Sequence, residues 1–148
     1  VQGHCYTGAL ELVLVCDLLV VAESAKLADT HGKWGMTPTW GMSQRLPRRI
    51  GPLRAKELMF SGRAVTGAEA VALGLANACV PDAELAAHAL GLAREIAANS
   101  WFTLRTEKKL LREGQDLPAS QALAYERANS PGAGPDMAKR LESFGAKR

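Results

Sequence analysis

The stretch Gly3-His4-Cys5-Tyr6-Thr7-Gly8-Ala9-Leu10-Glu11-Leu12 decides the fold, because a glycine turn leads straight into an apolar helix that carries one acidic residue, Glu11. Over residues 10–22 the chain reads LELVLVCDLLVVA, and only Glu11 and Asp17 interrupt the apolar run, which predicts a buried core. Carboxylates are almost never fully buried without a partner. An acid one helical turn beyond Gly8 must therefore face a cleft or hold something polar. Gly8 has no Cβ, so backbone can approach a ligand closely there, and the unpaired amides of a helix N-terminus suit a developing negative charge. The spacing reads as an oxyanion donor at Gly8 beside a base at Glu11. The plain alternative is an acid stabilised by the helix dipole, worth about 0.3–1 kcal/mol and needing no chemistry.

Working outward, residues 18–22 are rich in leucine and valine and predict a buried strand, with Lys26–Ala28 as a short partner. Residues 29–41, DTHGKWGMTPTWG, hold three glycines and a proline, which predict an irregular surface loop. Loops of this kind carry function. Two helices are expected at residues 42–50 and 52–60, the first ended by Gly51 and the second opened by Pro52. Thr66-Gly67-Ala68-Glu69 forms a capping box for a short helix that stops at Gly74, and residues 75–80 read as a short strand. Asp82 is expected to cap a long helix to about residue 98, with Leu85, Ala89, Leu92 and Ile96 on one face. Helices at about 102–112, 118–128 and 136–144 complete the chain, the last set apart by the proline- and glycine-rich loop 130–135.

At 148 residues the chain is the size of one domain. A net charge of +3 is only mildly basic, and the lysines and arginines of the second half are spread out rather than massed, which argues against a nucleic-acid partner. The densest cluster, Arg45, Arg48, Arg49, Arg54 and Lys56, reads as a solvated helix face, with phosphate contact or an RNA surface as the minority reading. Three cysteines at positions 5, 16 and 79 form no close pair, which points to a reducing cytoplasm. No apolar stretch reaches the roughly 20 residues that cross a bilayer. His4, Cys5, Cys16 and His31 contain no tight pair such as C-x-x-C or H-x-x-x-H, so no metal is expected.

Val1-Gln2-Gly3, Gly8 and Glu11-Leu12 together resemble the V-N-G-x-x-x-G-G-G-x-E-L segment of the enoyl-CoA hydratase/isomerase (crotonase) superfamily. The likeness continues through Cys16-Asp17, Ala22-Glu23-Ser24-Ala25, Gly35, Pro38, Gly41, Gln44-Arg45-Leu46 and Gly51, then Ser61-Gly62-Arg63, Ala68-Glu69-Ala70 and Gly74-Leu75, in the family's order and spacing. The resemblance implies an α/β fold, a crotonase-like (ClpP/crotonase) ββα core fragment over residues 1–80 followed by a helical C-terminal region over 81–148. It also implies that the chain is the C-terminal portion of a longer polypeptide, whose upstream part would carry a second oxyanion amide and an adenine-binding loop. The activity implied is water addition to a 2-enoyl-CoA through an oxyanion-stabilised enolate, with Gly8 and Glu11 in the catalytic roles. A coenzyme A thioester would be the substrate, with no further cofactor, and the helical region would cover the acyl-CoA pocket and join subunits into a homotrimer or dimer of trimers.

One position departs from the pattern. Two-glutamate hydratases of this family place a second glutamate where this sequence has Thr30-His31-Gly32. Imidazole moves protons at neutral pH, so a Glu11/His31 pair remains able to work; the alternative is an ordinary exposed loop histidine. The replacement also keeps open another reaction on the same scaffold, such as isomerisation, decarboxylation or dehalogenation, or a non-catalytic interaction or RNA-binding member. Trp34 and Trp40 lie in a loop where the family often has small residues, and their rings either narrow an acyl pocket or cover the core.

Overall fold

Strands of two or three residues cannot stand alone, and here each finds its partner far along the chain. The computed structural model describes residues 1–145, with side chains described to Ser143. Strand β1 (His4–Tyr6) lies parallel to β3 (Lys26–Ala28), with Cys5 opposite Leu27, and β3 pairs antiparallel with β4 (Val65–Thr66). Strand β2 (Val20–Ala22) pairs parallel with β5 (Ala78–Val80) in a second sheet. Lys26–Ala28 is thus a strand, but its partners are β1 and β4 and not the strand that precedes it. A tight turn separates the two: Ala25 N–H donates to the Ala22 carbonyl at 3.0 Å, and Lys26 N–H then reaches the Gly3 carbonyl at 2.8 Å, sending the chain into the other sheet.

Helix α1 (Gly8–Val13) follows β1 directly. The apolar run that contains it is not buried all round. Leu10, Leu14, Leu19 and Val21 join the core, while Leu12, Val15 and Leu18 are exposed. A four-residue spacing puts Leu10 and Leu14 on one helical face and turns Leu12 and Val15 away. Helices α2 (Met42–Ile50) and α3 (Pro52–Ser61) form as the sequence predicts, with Met42, Leu46 and Ile50 of α2 buried on one stripe. Helix α4 (Gly67–Ala72) begins where Thr66 Oγ1 accepts the Glu69 N–H at 3.2 Å, the first half of the capping box. The Glu69 carboxylate does not complete the box but accepts from Arg63 at 2.6 Å. Gly67 is required at this start because a Cβ would run into the Ala22 carbonyl oxygen and lie 2.8 Å from Cys79 Sγ.

Asp82 does not cap the long helix. Its carboxylate accepts the Ser24 hydroxyl and the Ser24 backbone N–H, the latter at 3.1 Å, which holds the carboxyl below the usual range and ties the turn after β2 to the end of β5. A 3₁₀ turn at Asp82–Glu84 precedes α5 (Leu85–Ala97). On its expected apolar face Leu85, Leu92 and Ile96 are half-buried and Ala89 is exposed.

The chain divides into two compact units, Val1–Leu90 and the part from Gly91 onward. In the first, the core gathers Leu10, Val21, Leu27, Met42, Leu46 and Val65 around the two small sheets. The second is helical, with α6 (Trp101–Gly114), α7 (Ala119–Asn129) and α8 (Met137–Gly145). Within it Ser100 donates to Asp136 Oδ1 at 2.8 Å, and Arg140 donates to Asp136 Oδ2 at 2.5 Å. Arg140 and Ser100 together keep the Asp136 carboxyl below its ordinary range. Trp101, Leu111, Leu123 and Leu141 of these helices are exposed. Among the described residues no helix is long and apolar enough to cross a membrane.

Candidate active site

The turn between β1 and α1 places the first two site residues. Thr7 adopts φ +53° and ψ −111°, an unfavourable region for a side chain with a branched Cβ. Three ties hold it there: its N–H donates to the Ala28 carbonyl at 2.9 Å, its carbonyl accepts the Glu11 N–H at 3.0 Å, and its hydroxyl bonds that of Thr30. Gly8 is the first residue of α1, where no carbonyl of the helix itself can reach its N–H. The Trp40 ring lies over it, so that a Cβ on Gly8 would stand 3.1 Å from Trp40 Cζ3.

Glu11, one turn later, is 2 % exposed. Its Oε1 accepts the backbone N–H groups of Trp40 at 2.9 Å and Met42 at 3.0 Å. Two amides converge on one oxygen because Gly41 between them has φ +109°, a conformation natural to glycine that turns successive N–H groups toward a common point. The second oxygen, Oε2, faces His31 Nε2 at 3.7 Å. These partners settle how a carboxylate lies inside this core, and they leave one oxygen turned to the imidazole.

His31 is not an exposed loop residue. It is buried and opens a 3₁₀ turn, His31–Trp34, in the segment predicted to be irregular. The cause is Asp29, also 2 % exposed, whose Oδ1 accepts the His31 backbone N–H at 3.1 Å and meets ring Nδ1 at 2.6 Å. A side-chain oxygen bonded to the backbone two residues on is a local turn that Asp favours. That D-x-H spacing was the one signal in the sequence for Asp29, and it gave no role without the fold. The site thus aligns Asp29, His31 and Glu11, with Gly8 one helical turn before Glu11.

The tryptophans part company. Trp40 is 59 % exposed and covers Gly8, whereas Trp34 is 71 % exposed, so neither ring is buried in the core. The arginines are engaged with backbone: Arg45 donates to the Trp40 carbonyl, Arg49 to Cys16 at 2.7 Å, Arg48 to Gln44 at 2.9 Å and Arg54 to Leu73 at 3.3 Å. Burial pushes the Cys5 thiol up, which keeps it protonated and a poor nucleophile. Among the described residues no group of His, Cys, Asp and Glu is arranged to hold a metal ion.

The family model described as "Enoyl-CoA hydratase/isomerase" matches residues 1–144, and the chain belongs to that family. A Mycobacterium tuberculosis protein named "Probable enoyl-CoA hydratase echA8" is 34 % identical over 150 residues, which cover all of this chain and 58 % of the relative. The crystal structure of an enoyl-CoA hydratase from Bacillus anthracis matches with a TM-score of 0.94 at 35 % identity, covering 99 % of this chain and 57 % of that one. A Thermobifida fusca protein solved in complex with acetoacetyl-CoA matches with a TM-score of 0.82 at 28 % identity, over 95 % of this chain and 52 % of its own. The chain spans about half the length of the curated relatives it matches. Others among them carry mitochondrial or peroxisomal names. The crotonase-like fold expected from the ordered motifs is the fold observed.

Replacing Glu11 tests its structural role as the acceptor for two backbone amides. In Glu11→Leu the Trp40 and Met42 N–H groups lose their acceptor, which is expected to cost about 1–3 kcal/mol for each donor left buried. Glu11→Gln keeps an oxygen for both donors and is expected to unfold within about 1 kcal/mol of the parent. Urea unfolding of the two variants checks this, and equal loss in both would contradict it.

Proposed function

We propose that the whole protein is an enoyl-CoA hydratase-like lyase that adds water across the double bond of a 2-enoyl-CoA. The observation that carries this reading is the buried Glu11 carboxylate, fixed through Oε1 and facing a buried imidazole through Oε2, next to a helix-opening glycine. A water oxygen about 2.8 Å from both Glu11 Oε2 and His31 Nε2 fits the 3.7 Å between them. Glu11 takes one proton from this water as its oxygen bonds to Cβ. The electron pair of the double bond moves to the thioester oxygen, where the Gly8 N–H and a second donor from outside this stretch stabilise the enolate; each such donor is worth about 2.7–4 kcal/mol of barrier. Glu11 then returns the proton to Cα, so that one water supplies both groups added. His31 accepts a hydrogen bond from the water's other O–H and orients it, and that hydrogen stays on the product hydroxyl.

The substrate is a coenzyme A thioester, as the acetoacetyl-CoA bound to the Thermobifida fusca relative supports. The substrate itself carries the activated carbonyl, and no separate cofactor enters the scheme. We place the enzyme in the cytoplasm on its unpaired cysteines. His31 at the second acid's position favours, as a second reading, another enolate reaction on the same scaffold, which product analysis separates from hydration. An RNA-binding role is disfavoured by arginines already bonded to backbone carbonyls.

Glu11→Gln is expected to lower kcat for crotonyl-CoA by about 10²–10⁴-fold with acyl-CoA affinity nearly unchanged, since the Gly8 amide is untouched. Loss of the enoyl thioester absorbance reads the rate, and wild-type turnover by the variant would refute the assignment.

The exposed Trp101, Leu111, Leu123 and Leu141 support assembly through the helices beyond Pro81, as a homotrimer or dimer of trimers. Sedimentation of the protein is expected to give trimers or hexamers; a stable monomer would contradict this.

A further inference from the structure

Asp29 commits a single oxygen to two nitrogens of His31, the backbone N at 3.1 Å and ring Nδ1 at 2.6 Å, and it does so at 2 % exposure. A carboxylate accepts hydrogen bonds and has none to give, so the 2.6 Å contact points to the hydrogen on Nδ1, where the bond is charge-assisted. On the other edge of the ring Nε2 stands 3.7 Å from Glu11 Oε2, beyond direct hydrogen-bond reach. A neutral imidazole carries one hydrogen, on one nitrogen or the other. The two distances therefore assign it to Nδ1 and leave a lone pair on Nε2.

The same oxygen also locks the ring in place. Its bond to the His31 N–H fixes the backbone from which the ring springs, and the intervening Thr30 is tied by its hydroxyl to Thr7, the residue before Gly8. We infer that Asp29 is a positioning residue that holds His31 in the Nδ1–H tautomer, so that Nε2 accepts a hydrogen bond from the water that Glu11 deprotonates. The role of the water rests on the hydratase reading above; the tautomer does not. Its value for that reaction follows from the water's own geometry. A water that donates one hydrogen to Glu11 and the other to His31 keeps both lone pairs free, and one of them attacks Cβ. With the hydrogen on Nε2 instead, the ring would claim one of those lone pairs and the water would be a poorer nucleophile.

The test begins with the free protein. A long-range proton–nitrogen NMR correlation on ¹⁵N-labelled protein reports which ring nitrogen is protonated, and His31→Gln assigns the signals against His4 and His88. The neutral ring of His31 is expected to show a protonated Nδ1 and a bare Nε2. A bare Nδ1 with protonated Nε2, or both nitrogens protonated at pH 8, would overturn the inference. In Asp29→Ala the ring is expected to pass to the Nε2–H form, with kcat for an enoyl-CoA down by about 10²-fold and KM within about twofold. Asp29→Asn, whose Oδ1 can still accept from both nitrogens, is expected to keep the tautomer and recover most of kcat. Wild-type kcat in a folded Asp29→Ala protein, or a tautomer that does not change in it, would overturn the inference. Should Asp29→Ala fail to fold, the parent spectrum and the Asn variant decide. A protein that hydrates no enoyl-CoA yet shows the Nδ1–H form would refute the hydratase reading and leave the tautomer standing.

Discussion

A carboxylate held at 2 % exposure inside an apolar core is the constraint on which the rest of this structure depends. Burying such a charge without partners costs far more than one side chain contributes to stability, so the surrounding chain must bring donors to it. It does so from the segment that looks least ordered in the sequence. Residues 29–41 fold back over α1, and Gly41 turns the Trp40 and Met42 amides onto Glu11 Oε1. The same fold-back buries Asp29 and His31 and lays the Trp40 ring over Gly8. One electrostatic requirement thus assembles the Glu11 carboxylate, the Gly8 amide and the His31 imidazole in a single place.

Much of this was legible in the residues. The placement of Glu11 one turn into a helix that Gly8 opens followed from an acid in an apolar run, and the helices at 42–50 and 52–60 followed from stripe and cap residues. Strand partners were not legible, because pieces of two or three residues carry no register information and their mates lie 22, 40 or 58 positions away, as His4 to Lys26, Lys26 to Thr66 and Val20 to Ala78. β1 was hidden for the same reason, its three residues reading as part of a glycine turn. Asp82 read as a cap because it precedes a helix, yet Ser24, 58 residues earlier, offered it a hydroxyl and an amide. Competition of this kind is decided by tertiary structure and leaves no local mark.

The middle segment is the instructive case. Its glycines and proline do prevent a long helix or strand, and residues 32–37, 39 and 40 are exposed as a surface loop would be, yet Asp29 and His31 at its start are buried. Asp29 supplies a local turn that pairs the His31 amide, and Glu11 pairs two more amides from further along. With those donors satisfied, Asp29, His31 and Glu11 can be buried while residues 32–37 stay exposed. Family membership and the Asp29–His31 pair then say different things: the first gives the scaffold, and the second is a buried carboxylate–imidazole contact facing Glu11.

The proposed hydration requires Glu11 to carry a proton between water and Cα of a thioester. The most direct measurement is the exchange of the Cα hydrogens of butyryl-CoA in D₂O, followed by proton NMR, since this substrate has no double bond to hydrate and reports proton transfer alone. The parent protein is expected to wash deuterium into Cα, and Glu11→Gln, folded and still binding the thioester, is expected to do so about 10²-fold more slowly or less. Exchange at the parent rate in that variant would contradict the account and leave Glu11 as a buried tether for the loop above it.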